Sequence, residues 1–236
     1  MATVAEKLTN FGPVYVINLD RRTDRRSTLT QELTDSGVSN YEFVSAIDAG
    51  APSFQDLIAN KGEISDAEWA CTLSHLHTLK YYLDNSTADY AVIVEDDLCF
   101  DTVQYWNFTW DEFINSAPTD WEMIQLVVYN GIDPLNVELH ERRFYDQATT
   151  AYVIKRDHAQ SLVNKFIIDG VENVPPNAVA DFFLYHIGKV YAASLFVVCE
   201  DEQSSVSDIH PGHKDDQIAM RNTILTHYIE NATIAQ

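Results

Sequence analysis

The feature that most constrains this chain is the alternation of short apolar runs with segments of helical period. Val14-Tyr-Val-Ile-Asn-Leu19 is apolar at almost every position, the pattern of a strand covered on both faces, as in a parallel sheet. Asp24–Ser36 carries Leu29 and Leu33 at i, i+4 and stops before Gly37, so it reads as a helix. Tyr41–Ile47 reads as a second strand and Phe54–Asn60 as a short helix. Across Asp66–Leu83 the residues Trp69, Leu73, Leu76, Leu79 and Leu83 recur at spacings of three and four, which marks an amphipathic helix. Tyr90–Val94 is a strand running straight into Glu95-Asp96-Asp97. Further strands are expected over Met123–Val128, Thr149–Ile154 and Val190–Val198, and helices over Arg156–Phe166, Val179–His186 and Asp216–Glu230. The order predicts an α/β domain with a mainly parallel central sheet flanked by helices. No repeat, low-complexity tract or linker interrupts the 236 residues, so a single domain over 1–236 is expected.

Charge narrows the function classes. Asp and Glu number 36 against 15 Lys and Arg, a net charge of -21. A field of that sign repels nucleic acid and anionic membranes. Hydrophobic content of 46% with 11% aromatics excludes a disordered acidic tail. Three scattered cysteines, Cys71, Cys99 and Cys199, give neither a disulfide framework nor zinc spacing. With no signal-like leader and no apolar window of about 18 residues, a cytoplasmic protein without a transmembrane segment is expected.

In so acidic a chain an anionic substrate needs a cation or a local basic cluster. Four of the eight arginines, Arg21, Arg22, Arg25 and Arg26, fall within six residues after the first strand. Ligands of open α/β sheets bind beyond the carboxyl ends of strands, and a helix start favours anions. The plainer alternative is a solvated charged turn neutralised by Asp20 and Asp24. At the end of the next apolar strand, Glu95 and Asp97 stand at i and i+2 and so can converge on one point. Crowded carboxylates of that kind are commonly relieved by a hard divalent cation, here Mn²⁺ or Mg²⁺, although acidic loop decoration is the bland reading. Cys71-Thr-Leu-Ser-His75, the lone Asp181 and His210-Pro-Gly-His213 are less specific.

Taken in order, these segments resemble glycosyltransferase family 25. The resemblance rests on Val16-Ile17-Asn18-Leu19 with Arg25-Arg26, on Ala67-Glu68-Trp69-Ala70-Cys71-Thr72-Leu73-Ser74-His75, and on Val94-Glu95-Asp96-Asp97. It continues through Ala151-Tyr152-Val153-Ile154, Val179-Ala180-Asp181 and Val206-Ser207-Asp208-Ile209. Where the family has glycines, this chain has Ala67 and Ala70, and Lys155 stands where serine is usual. That difference bears on the donor sugar more than on the reaction class.

The resemblance implies a GT-A-like nucleotide-diphospho-sugar transferase that needs a divalent cation and inverts configuration while moving a sugar, galactose first among them, from a UDP-sugar. The acceptor would be a hydroxyl of a glycan, glycolipid or glycoprotein. It implies Glu95 and Asp97 as metal ligands with His210 completing the shell, and Arg25, supported by Arg22, on the diphosphate. Asn18 would meet the base or ribose, His75 and Asp96 would shape the donor pocket, and Asp181 would be the catalytic base. Two other readings stand beside it: a degenerate sugar-nucleotide-binding module, and a metal-dependent phosphohydrolase.

Overall fold

The structure, a computed structural model, describes residues 2–129, 138–169, 171–199, 209 and 214–234. Along the chain run α1 (Val4–Lys7), β1 (Val14–Asn18), α2 (Thr23–Asp35), β2 (Tyr41–Ser45), α3 (Asp66–Asn85), β3 (Tyr90–Glu95) and β4 (Leu98–Cys99). Then come α4 (Trp110–Ser116), β5 (Met123–Gln125), β6 (His140–Glu141), β7 (Ala151–Lys155), α5 (Arg156–Phe166), β8 (Ile167–Ile168) and β9 (Val171–Glu172). The chain closes with α6 (Ala180–Phe183), β10 (Val190–Ala192), β11 (Val197–Val198) and α7 (Lys214–Ile234).

Seven strands form the central sheet in the order β2-β1-β3-β7-β5-β10-β6. β1 is parallel to both β2 and β3, and β5 to β10, while β7 and β6 run against their neighbours. Five of the seven strands therefore point the same way, the mainly parallel sheet that the sequence predicts. The period of two divides the core: Val14, Val16, Val92, Val94, Ala151 and Val153 pack on one face, and Tyr15, Ile17, Ala91, Ile93, Tyr152 and Ile154 on the other. The first face is covered by α2, α4 and α7, through residues such as Leu29, Leu33, Trp110 and Ile224. The second is covered by α3 and α5, through Trp69, Leu73, Leu76, Leu79 and Leu162. α3 begins at a reciprocal cap, with the Ser65 hydroxyl accepting from the Glu68 N–H and the Glu68 carboxylate accepting from the Ser65 N–H.

Two expectations need amending. The run Val190–Val198 is mostly buried but is two strands, because the chain leaves the sheet after Ala192 and β11 pairs instead with β4. Phe54–Asn60 is replaced by a 3₁₀ turn over Pro52–Leu57.

What positions a site is the switch at β1. Its chain crosses to β2 on one side, and β3 lies on the other. The crevice beyond the carboxyl ends of β1 and β3 is thus a topological switch point, where α/β sheets bind ligands. Ile17 lies opposite Glu95 in the register, so the arginine-rich turn and the acidic turn emerge side by side.

Candidate active site

The two turns are joined directly. Arg25 Nη1 donates to Asp96 Oδ1 at 2.7 Å, and Asn18 Nδ2 donates to Asp96 Oδ2 at 2.7 Å and to the Arg22 carbonyl at 3.3 Å. Arg25 and Asp96 are only 6% and 7% exposed, so this pair is buried and its partners are committed to each other. Burial pushes the Asp96 carboxyl up, and the Arg25 charge with the Asn18 and Arg25 hydrogen bonds offsets part of that. Arg25→Ala would leave Asp96 buried without its counter-charge. The expected loss in urea denaturation is about 3–5 kcal/mol, and a change below roughly 1 kcal/mol would show that the pair does not hold the two turns together.

The remaining arginines have separate roles in the packing. Arg21 pairs with Asp48 at 3.1 Å at the rim, Arg22 turns to Asp24 at 3.0 Å, and Arg26 lies over the Phe43 ring at 4.3 Å. A cleft of about 480 Å³ opens above β1 and β3, lined among others by Arg21, Arg25, Ala70, Glu95, Asp96 and Asp97. Asn18 and Arg22 are not among its lining residues. Arg21, which the resemblance did not single out, lines it.

Glu95 is held by a chain of hydrogen bonds. Its Oε1 accepts from Thr149 Oγ1 at 2.7 Å and meets His75 Nε2 at 3.3 Å, while His75 Nδ1 lies 3.2 Å from the Tyr152 hydroxyl. A carboxylate can only accept, so Nε2 carries a proton toward Glu95. Burial raises the Glu95 pKa, but the His75 hydrogen bond and charge, Thr149 and Arg25 outweigh it and leave the group below its ordinary range. Asp97 shows the opposite balance. Burial first, and then the neighbouring Glu95 charge, drive its pKa up to about 7. Its buried Oδ1 has no hydrogen-bond partner among the described residues, a state that costs stability unless something else fills it.

That orphaned oxygen is the test of fit for a cation. Two carboxylates with one unsatisfied oxygen suit a hard divalent ion such as Mn²⁺ or Mg²⁺. Donor atoms of Cys71, His75 and Glu95 also lie within 4.8 Å of one another. That trio fits such an ion less well, because burial pushes the Cys71 thiol well up and keeps it protonated. His210, the expected third ligand, lies outside the described residues.

A second cleft of about 280 Å³ adjoins the first, and the two share Cys71, Glu95, Asp97 and Ile209. Asp181, in the first turn of α6, lines it. Burial raises the Asp181 carboxyl, Glu95 adds to the rise, and the Ala148 backbone, His75 and Arg142 act against it. Sequence reasoning missed Arg142, whose Nη2 donates to the carbonyls of Asp181 at 2.9 Å and Asp146, while its Nε donates to Gln125 Oε1 at 3.1 Å. Nothing in the local pattern signals it, since Gln125 and Asp181 are remote from it in sequence. Thr149 and Tyr152 were also missed, although both lie in the stretch expected as a strand.

Fully buried Asp146 shapes this side. Its Oδ2 accepts from the Arg143 N–H at 2.6 Å and from His140 Nε2 at 3.1 Å. The Asp146 hydrogen bond raises the His140 pKa. Burial pushes the Asp146 carboxyl up, but the His140 and Arg143 hydrogen bonds outweigh it and leave it lowered. The pair therefore stabilises from above the ordinary carboxylate range up to the raised His140 pKa, and the contribution falls as pH rises through that value or drops through that of Asp146. Asp146→Asn is expected to lower stability by about 3 kcal/mol near pH 5–6, with a smaller gap above about pH 8. Thermal melts across pH check this, and a gap independent of pH contradicts it.

The model of glycosyltransferase family 25 (LPS biosynthesis protein) matches residues 11–172. Procollagen galactosyltransferase 2 of Mus musculus and that of Homo sapiens are each 26% identical over 178 residues, which is 65% of this chain and 27% of theirs. The chain thus spans about a quarter of the length of those relatives. A protein of Acanthamoeba polyphaga mimivirus, R655, whose name assigns it provisionally to the glycosyltransferases, is 29% identical over 165 residues, 66% of this chain and 49% of its own. Among solved structures, A197 from STIV aligns at a TM-score of 0.43 with 11% identity, over 78% of this chain and 82% of that one.

Proposed function

The chain belongs to glycosyltransferase family 25, and from that premise we propose that it moves a sugar, galactose first among the candidates, from a UDP-sugar to a hydroxyl of a glycan, glycolipid or glycoprotein with inversion. The observation that carries the reading is the meeting, at the β1–β3 switch point, of an arginine-held acidic turn with an unpartnered Asp97 oxygen.

In this reading Glu95 and Asp97, with His210, hold a Mn²⁺ or Mg²⁺ ion whose charge balances the negative charge of the departing diphosphate. Arg21 and Arg25 line the same cleft and bring positive charge to the diphosphate, with Arg22 in support. Asn18 keeps the base end in register: its Nδ2 fixes Asp96, and its buried Oδ1 has no partner among the described residues. His75 holds Glu95 in place, and the Cβ atoms of Ala67 and Ala70 narrow the wall where the family has glycine. The acceptor enters from the second cleft. Its hydroxyl oxygen attacks the anomeric carbon, the bond from that carbon to the UDP oxygen breaks, and the hydroxyl proton passes to a carboxylate oxygen of Asp181. Asp181 suits the task because its raised pKa brings its basicity nearer to neutrality.

Titration calorimetry of the full chain with UDP tests the donor site. Binding is expected in Mn²⁺ and is expected to weaken about tenfold or more when a chelator removes the ion. Binding that ignores the chelator, or no binding, rejects the metal-assisted donor site.

A further inference from the structure

A large apolar side chain on the surface is informative when it is held there rather than left over. Phe144 is 79% exposed, and no other large hydrophobic residue among those described approaches that figure. It is not adrift: its ring stacks on Phe182 with centroids 5.3 Å apart and planes inclined by 27°. The partners are remote in sequence and are brought together by buried contacts. Arg142 ties the turn before Phe144 to the Asp181 carbonyl beside Phe182, and it lies 4.6 Å over the Tyr185 ring. Asp146 fixes the turn after Phe144. Phe182 itself is 37% exposed and lines the second cleft with Asp181.

This arrangement rests on the reading of the second cleft as the acceptor side, and it identifies what the acceptor presents there. We infer that Phe144 and Phe182 form a platform for the apolar face of a neutral pyranose ring, which sets a hydroxyl of that ring toward Asp181. A pyranose has a C–H face and a rim of hydroxyls. The electron-rich face of an aromatic ring attracts the C–H groups. The rim requires hydrogen-bonding groups, and the cleft supplies Glu68, Gln147 and Asp181. Tyr129 also lines it, and its buried hydroxyl has no partner among the described residues. Charge selects further. Glu68, Glu95, Asp97 and Asp181 all face this cleft, so an anionic acceptor is repelled. With most of its ring in water, Phe144 contributes little to the fold, and its removal isolates binding from folding.

Saturation-transfer NMR on the full chain with UDP and Mg²⁺ tests the platform, using methyl β-galactopyranoside, methyl β-glucopyranoside and methyl α-mannopyranoside as probes. At least one of them is expected to receive saturation mainly on the C–H groups of one ring face. Phe144→Ala and Phe182→Ala are each expected to weaken that binding about fivefold, roughly 1 kcal/mol, and Phe144→Tyr to restore it. Absence of transfer to all three, or transfer unchanged in Phe144→Ala, overturns the inference. So does a Phe144-dependent signal from n-butylammonium without one from the sugars, since that assigns the rings to a cation. UDP calorimetry on the unmodified chain reports separately: lost UDP binding with a persistent sugar signal rejects the donor site and leaves the platform standing.

Discussion

Asp97→Ala is expected to bind UDP in Mn²⁺ at least about 100-fold more weakly than the unmodified chain and to lose transfer by about 10³-fold or more, the scale set by removing charge stabilisation from a buried site. The reason is local. Glu95 already spends one oxygen on Thr149 and His75, whereas Asp97 Oδ1 is committed to no described group. The same substitution carries a second signature that a merely structural role does not produce. Asp97 titrates at about 7 in the folded chain because burial and Glu95 oppose its charge. An acid with a raised folded pKa contributes least above that value, so the Asp97 contribution to wild-type stability falls as pH rises from about 4 to 7. In chelator at about pH 8, Asp97→Ala is therefore expected to melt at a higher temperature than wild type, in trade for its binding. Full UDP affinity in the variant, or a lower melting temperature in chelator, contradicts this assignment.

Asp181→Asn separates binding from chemistry. The side chain lines the second cleft, whereas Arg21 and Arg25 of the arginine-rich turn line the first. UDP affinity is expected to stay within about twofold of wild type, while transfer falls by about 10²–10⁴, the usual share of a positioned base. Burial raises the Asp181 pKa, so the acid limb of the wild-type rate profile should lie above the ordinary carboxylate range, with activity rising as the group ionises. That limb should be missing from the residual activity of the variant. Transfer at near wild-type rate moves the base elsewhere.

The parts of the fold legible in the sequence are those where periodicity reports burial. Val14–Leu19 and Tyr90–Val94 are β1 and β3 to within a residue, and Arg156–Phe166 is α5 at both ends. Periodicity carries no direction, so the reversal of β7 between β3 and β5 could not be read from it. It also cannot tell a strand from a buried path between two sheets, which is why Val190–Val198 splits. α4 was overlooked although Thr109 and Glu112 form a reciprocal cap at its start, a signature that was there to be read. For the site, spacing put Glu95 and Asp97 on one side of a strand end and four arginines at another. The register of β1 against β3 brings those turns into contact, a long-range pairing that local pattern does not encode. Local pattern likewise hides that Arg25 is bound to Asp96, that Thr149 and the Tyr152-bound His75 hold Glu95, and that Arg142 holds the backbone at Asp181.

The most direct test is mass spectrometry of products after incubating the chain with UDP-galactose, other UDP-sugars and a glycan array in Mn²⁺. An acceptor heavier by one hexose residue, formed with release of UDP and absent for Asp97→Ala, is the predicted result. Release of free phosphate or UMP with no acceptor gaining mass, or equal product from the Asp97→Ala chain, would contradict a metal-assisted sugar transfer at the β1–β3 crevice.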